Sequence, residues 1–154
     1  MSSGIPERVG RYRVARTLGS GAMGHVYLAR DLELDRAVAI KVLRKVELSE
    51  ERLRLFLERI RNEARATARL LHQAVVQVYD VGEDAALGPF LVLEYVPGTT
   101  LREVLRARGL LGPREALGIV ARVAAGLDAA HTAGILHRDV KPDNLLVGKD
   151  GRVK

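Results

Sequence analysis

The segment His137-Arg138-Asp139-Val140-Lys141-Pro142-Asp143-Asn144 concentrates charge between an apolar helical pattern and a short apolar strand pattern. Solubility alone does not account for that density. Asp139 can accept a hydrogen bond from a substrate hydroxyl, Lys141 can neutralise a phosphoryl group in transfer, and Asn144 offers a hard oxygen ligand to Mg²⁺. A second cluster, Gly19-Ser20-Gly21-Ala22-Met23-Gly24, spaces its glycines as GxGxxG. Such a run turns tightly and lets backbone amides approach phosphates without side chains intervening. A third element is Lys41, an ammonium in an otherwise apolar strand pattern with Ala39 two residues before it, which leaves room for a flat base. Glu63 sits at the edge of an apolar helical stripe, where a carboxylate calls for a cation. One ion pair, Lys41 with Glu63, satisfies both.

The elements that must position these groups are legible as periods. Residues 11–43 alternate with period two: Val26 and Leu28 alternate with His25 and Tyr27, and in AVAIKVL the residues Ala37, Ala39, Lys41 and Leu43 share one face. The glycine run therefore lies between two strands. A dinucleotide fold would need a helix after the glycines, and an NTPase phosphate loop would need Lys-Ser or Lys-Thr where the chain has His25-Val26. From Ser49 the period lengthens, and Leu53, Phe56, Leu57, Ile60, Ala64, Ala68 and Leu71 predict an amphipathic helix of about twenty residues. Strands are predicted over 75–81 and 89–95, with a break at Val96-Pro97-Gly98. A short helix follows around 101–108. A longer one opens at Pro113, with Leu117, Val120, Ala121, Ala124, Leu127 and His131 on one stripe and Gly134 at its end.

Composition narrows the classes. The chain has 154 residues, 47% hydrophobic and 29% charged, which suits a packed domain and excludes a disordered one. The longest apolar run is four residues, against about 18 for a membrane helix. There is no cysteine, hence no disulfide framework or thiolate chemistry, and the N-terminus lacks a signal-peptide core; a cytoplasmic protein is expected. The net charge of +6 lies entirely in the first half of the chain. With six scattered aromatics there is no stacking platform for single strands, so nucleic acid is not the expected partner.

Glycine run, AIK, Glu63, LEYVPG and HRDVKPDN, in this order from about Tyr12 to the last residue, resemble the eukaryotic-like Ser/Thr protein kinases of bacteria. The resemblance implies an α+β fold: a five-stranded antiparallel N-lobe with one large helix, then the first part of a helical C-lobe. It divides the chain into an N-terminal extension (1–10), N-lobe (11–94), hinge (95–98) and partial C-lobe (99–154). It implies ATP and Mg²⁺ as cofactors and proteins with Ser or Thr acceptors as partners. Gly19, Ser20, Gly21, Ala22, Met23 and Gly24 would cover the phosphates, with Leu18 and Val26 above the adenine and Ala39 beside it. Lys41 would bind the α- and β-phosphates, paired to Glu63. Leu93 would back the adenine pocket, and backbone groups of Glu94 to Val96 would hydrogen-bond the base. Asp139 resembles the catalytic base and Asn144 a magnesium ligand, while Lys141 points to Ser/Thr acceptors and Arg138 to control by activation-loop phosphorylation. The family's Asp-Phe-Gly, with its magnesium-binding Asp, is not reached by Lys154, so a catalytic domain cut short is expected, inactive alone. The alternatives are a non-catalytic ATP-binding or decoy module, a basic nucleic-acid binder, and, less in keeping with Lys141-Pro142, a small-molecule kinase.

Overall fold

The period-two segments form an antiparallel sheet. The computed structural model describes residues 5–21, 24–43, 51, 54–55, 58, 61–62, 64 and 69–154. Within them the chain divides into two units, Met1–Ala68 with Gln77–Tyr95, and Arg69–Val76 with Val96–Lys154.

The first unit carries β1 (Arg8–Val9), β2 (Tyr12–Gly21), β3 (Gly24–Asp31), β4 (Arg36–Leu43), β5 (Val78–Asp84) and β6 (Gly88–Glu94), in the order β1-β2-β3-β4-β6-β5. The sheet thus has six strands where five were expected. The extra strand comes from the segment read as an extension: Val9 pairs with Tyr12 across a two-residue turn, and both are buried. Side chains alternate as the sequence requires. Val38, Ile40 and Val42 point into a core with Val9, Tyr12, Tyr27, Ala29, Phe90 and Val92, which leaves Ala37, Ala39, Lys41 and Leu43 for the other face. Asp31, also buried, accepts the backbone N–H groups of Glu33 and Leu34 and so closes the β3–β4 turn. The strand expected over 75–81 begins three residues later and runs to Asp84. There Asp84 accepts N–H groups from Ala86 and Leu87 and ends it in a turn.

The described residues between 51 and 64 are helical, as the lengthened period predicts. The cap Ser49 lies outside the described residues. The helix does not reach Leu71: residues 69–76 are irregular, and Leu71 is 82% exposed. This stretch belongs to the second unit. A Cβ on Gly126 would sit 3.0 Å from the Ala74 carbonyl oxygen, so the glycine lets the segment lie against a helix, and Lys154 Nζ donates to Val75 O at 3.3 Å.

The second unit holds a helix Leu101–Arg108, a helix Pro113–Thr132, a 3₁₀ turn Pro142–Asn144, and β7 (Gly98–Thr100) paired with β8 (Leu146–Gly148). The short helix starts with a capping box, Thr100 Oγ1 accepting the Glu103 N–H and Glu103 Oε2 the Thr100 N–H. In the long helix the buried residues are Ile119, Gly126 and Ala130, with Val123 packed against the core of Leu101, Ile119 and Val153. The stripe expected from the sequence is the other one. Leu117 and Val120 are 69% and 62% exposed, because the helix is apolar on two sides and the described chain covers one. Among the described residues no helix is long and apolar enough to cross a membrane.

Candidate functional site

In the first unit the glycine run is the tip of the β2–β3 hairpin, with Gly19 opposite Val26, Ser20 opposite His25 and Gly21 opposite Gly24. A register shift between Thr17 and Gly19 places Leu18 at a bulge, where it is half-exposed. Gly24, at φ 134°, occupies backbone space that a side chain would resist. Gly19 and Gly21 differ: neither has a positive φ, and among the described residues a Cβ on either would meet nothing within 4 Å. The folded hairpin does not itself require glycine there. What the absent side chains leave is bare backbone, suited to the close approach of a polyanion. Ala22 and Met23 lie outside the described residues.

Across the sheet, Gly19, Val26, Lys41 and Leu91 stand in one row, and Leu28, Ala39 and Leu93 in the next, all on the face opposite the core. Lys41 is half-buried between Val26 and Leu91, beside a strip of apolar side chains in which Ala39 is the low point. An ammonium next to an apolar shelf suits a molecule with a flat base and a charged tail. The partner expected for it, Glu63, lies outside the described residues. At the end of β6 the Glu94 N–H donates to Gln77 O at 2.8 Å, so this N–H is already used within the sheet. Val96 is buried in the second unit.

In the second unit the charged segment leaves the long helix past Gly134, at φ 75°, and is pinned at its far end. Leu101 N–H donates to Leu145 O at 2.7 Å, β8 pairs with β7, and Val147 bridges to Val153. Between these anchors Arg138 takes φ 60°, a left-handed conformation that costs a non-glycine residue on the order of 1 to 2 kcal/mol. The turn at Arg138 presents Asp139 to its neighbours. Lys141 Nζ lies 2.9 Å from Oδ1 and 2.7 Å from Oδ2. Asn144 Nδ2 donates to Oδ2 at 2.9 Å and to the Asp139 carbonyl at 2.8 Å. These donors hold the Asp139 carboxyl below the usual aspartate range, Lys141 first and Asn144 second. Both Asn144 bonds use its amide nitrogen, and among the described residues Oδ1 accepts no hydrogen bond. The sequence-predicted trio Asp139, Lys141 and Asn144 is therefore one hydrogen-bonded cluster.

One neighbour was missed. Arg102, on the short helix, grips Asp143 Oδ2 through Nε at 3.3 Å and Nη2 at 3.2 Å, tying the 3₁₀ turn to that helix. The residues are 41 apart, and no short-range pattern links them.

Residues 12–154 match the protein kinase domain family. The chain belongs to that family. The serine/threonine-protein kinase PknL of Mycobacterium tuberculosis is 47% identical over 144 residues, which are 94% of this chain and 35% of that protein. PrkC of Bacillus subtilis is 42% identical over 145 residues, 94% of this chain and 22% of that protein. The crystal structure of the M. tuberculosis PknI kinase domain superposes with a TM-score of 0.81 at 34% identity, over 99% of this chain and 59% of the solved one. The chain thus spans about a third or less of the curated relatives it matches, and its antiparallel sheet with helices is the N-terminal part of a protein kinase fold.

The site residues fit the family's cofactors as far as their chemistry goes. The bare Gly19 and Gly21 backbone suits phosphates, and Asn144 Oδ1, unused within the cluster, is the hard oxygen that Mg²⁺ prefers. Among the described residues no group of three or more acidic or His side chains could enclose a metal ion. Asn144 alone would be one ligand of a shared set.

Proposed function

We propose that this chain is the ATP-binding and catalytic-loop part of a protein serine/threonine kinase, which transfers the γ-phosphoryl of Mg-ATP to Ser and Thr hydroxyls of proteins. The observation that carries the reading is the Asp139 cluster. An ionised carboxylate, held by Lys141 and Asn144 in one orientation, is arranged to accept the hydrogen bond of an acceptor hydroxyl and to hold that oxygen toward a phosphoryl group. Its lowered proton affinity suits an orienting acceptor better than a strong base. Lys141 carries three N–H donors and can keep Asp139 while placing positive charge on a phosphoryl oxygen. Asn144 would direct Oδ1 to Mg²⁺, which when bound neutralises charge on the phosphates. Gly19, Gly21 and Gly24 would admit the phosphates, Lys41 would hold them with Glu63 as its partner, and Leu18, Val26, Ala39 and Leu93 would enclose the adenine. Reading residues 95–98 as a hinge belongs to the same proposal. Lys141 two positions after Asp139, and the serine/threonine-protein kinase names of the relatives, support hydroxyls of Ser and Thr as acceptors. The use of ATP supports a cytoplasmic setting.

The test is radiolabelled γ-phosphate transfer to a generic Ser/Thr substrate, with this chain and with one continued through the family's Asp-Phe-Gly and the rest of the second lobe. The longer protein is expected to transfer phosphate and to lose at least about a hundredfold on Asp139→Asn. The 154-residue chain is expected to bind ATP weakly and transfer nothing. ATP binding without transfer in both would instead support a non-catalytic nucleotide-binding module.

A further inference from the structure

On the sheet face opposite the core of the first unit, Arg8, Arg13 and Arg30 stand directly opposite one another on β1, β2 and β3. All three are exposed, and the next position across, Ala37 on β4, is small and exposed too. Like charges in register across strands repel, and a sheet normally interleaves them with acids. Here Arg30 alone is matched, its Nε donating to Asp35 Oδ1 at 2.9 Å. Among the described residues Arg8 and Arg13 have no ion pair. Arg16, further along β2 and exposed, donates to the Thr17 carbonyl at 3.4 Å. This is where the positive excess of the first half of the chain collects on the sheet.

The row is separate from the nucleotide residues. Ala37 lies four residues from Lys41 on β4, about 13 Å along the strand, and the apolar row of Leu28, Ala39 and Leu93 intervenes. A triphosphate held at Lys41 does not reach it.

The chemistry of the row selects its ligand. Every cation in it is arginine, whose planar fork pairs bidentately with phosphate, whereas adsorption to a diffuse anionic surface is served equally by lysine. Adjacent strands bring Arg8 and Arg13 about 5 Å apart, and Arg30 about 5 Å further. Phosphorylated side chains two residues apart on an extended segment are spaced about 6 to 7 Å, within the about 10 Å that the row spans. Among the described residues no aromatic ring serves base stacking beside the row, since Tyr12, next to Arg13, is buried on the other face.

We infer that the Arg8–Arg13–Arg30 row is a docking site for a phosphorylated Ser/Thr segment of a protein, the product of the chemistry proposed above. The choice of phosphoserine or phosphothreonine rests on the kinase reading. The test is therefore one that needs no turnover. A fluorescent peptide carrying two phosphoserines two residues apart is titrated by anisotropy into the chain, beside its unphosphorylated form, its Asp-substituted form, and vesicles containing an anionic lipid. The phosphopeptide is expected to bind at least about tenfold more tightly than either peptide control. Arg8→Glu with Arg13→Glu should abolish the difference, and Arg8→Lys with Arg13→Lys should weaken it several-fold. Both pairs are exposed, and circular dichroism confirms folding. Arg8→Gln with Arg13→Gln serves if the charge reversal perturbs the sheet. Equal binding of phosphopeptide by wild type and the Glu or Gln pair overturns the inference. So does equal affinity for the Asp peptide, or preferential adsorption to the vesicles. ATP affinity and its loss on Lys41→Met, measured on the same samples, report separately on the nucleotide reading.

Discussion

Gly98 and the pair Gly19 and Gly21 are the same residue type in two strand settings, and the structure uses them in opposite ways. Gly98 opens β7 opposite Gly148, where a Cβ would run into the Val147 carbonyl oxygen and come within 2.8 Å of Gly148 Cα. Beside Gly19 and Gly21 no described residue comes within 4 Å of the place a Cβ would take. The first glycine is demanded by packing, the other two by nothing in the described fold. A glycine with a full place beside it is required by the fold, and one with open space beside it is free to serve another purpose, which for Gly19 and Gly21 the proposed function supplies. The contrast separates residues that build the kinase domain from residues that would hold its nucleotide.

The sharpest way to break the contrast is Gly98→Ala. The obstructing atoms are backbone and cannot rotate aside, so β7 must part from β8 and disturb the pairing that fixes the far end of the charged segment 137–144. A loss of about 3 kcal/mol is expected, at the upper end for overpacking, read as a lowered denaturant midpoint. Gly82→Ala is the gentler case. Its Cβ would enter the ring of buried Phe90, within 2.9 Å of Cε1 and Cε2, but a ring can shift where backbone cannot. About 2 kcal/mol is expected from the same measurement.

Gly19→Ala and Gly21→Ala should do the reverse. Stability is expected to stay level or rise by up to about 1 kcal/mol, since alanine lowers the entropy of the unfolded chain where the backbone needs no positive φ. ATP affinity should fall about tenfold, or about 1.4 kcal/mol, as a methyl group enters the approach of the phosphates. Calorimetry and thermal unfolding on the same samples read both effects. A stability loss with unchanged ATP affinity would place these glycines with Gly98 and remove the argument for a ligand.

Much of this was legible in the sequence because it is local. The alternation in AVAIKVL told Lys41 from the core residues Val38, Ile40 and Val42, and Pro113 and Gly134 bracketed the long helix. The Asp139, Lys141 and Asn144 cluster spans six residues, so spacing alone brought it within reach. What failed was non-local. Val9 becomes a strand only because Tyr12 folds back on it and both find the core. Residues 69–71 read as a helix tail and 75–76 as the start of a strand until Gly126, about fifty residues on, offers the segment a surface. The long helix has two apolar stripes, and periodicity does not say which one the rest of the chain will cover. The Arg102 grip on Asp143 and the arginine row are likewise products of register.

The smallest expected effect lies at the same corner as Gly82, approached through charge instead of volume. Tyr12 packs edge-on against Phe90, ring centroids 6.2 Å apart, and its hydroxyl donates to Asp80 Oδ2 at 2.9 Å. Burial first, then the hydrogen bond to Asp80, pushes the phenol up to about 12 from its ordinary 10.0. A group that holds its proton more tightly when folded contributes its full stabilisation below the unfolded value and loses it as pH rises through the folded one. Stability should thus be level to about pH 10 and fall between about 10 and 12, by about 1 kcal/mol once the screening of the half-exposed Asp80 is allowed for. Tyr12→Phe keeps the ring against Phe90 and removes the hydroxyl. It should cost about 1 kcal/mol at pH 8 and flatten the curve from 10 to 12. Urea midpoints at pH 8, 10 and 11.5 for both proteins make the comparison. An undiminished alkaline fall in Tyr12→Phe would assign it to other groups, and would leave the corner around Phe90 held by packing alone, as the Gly82 contact already suggests.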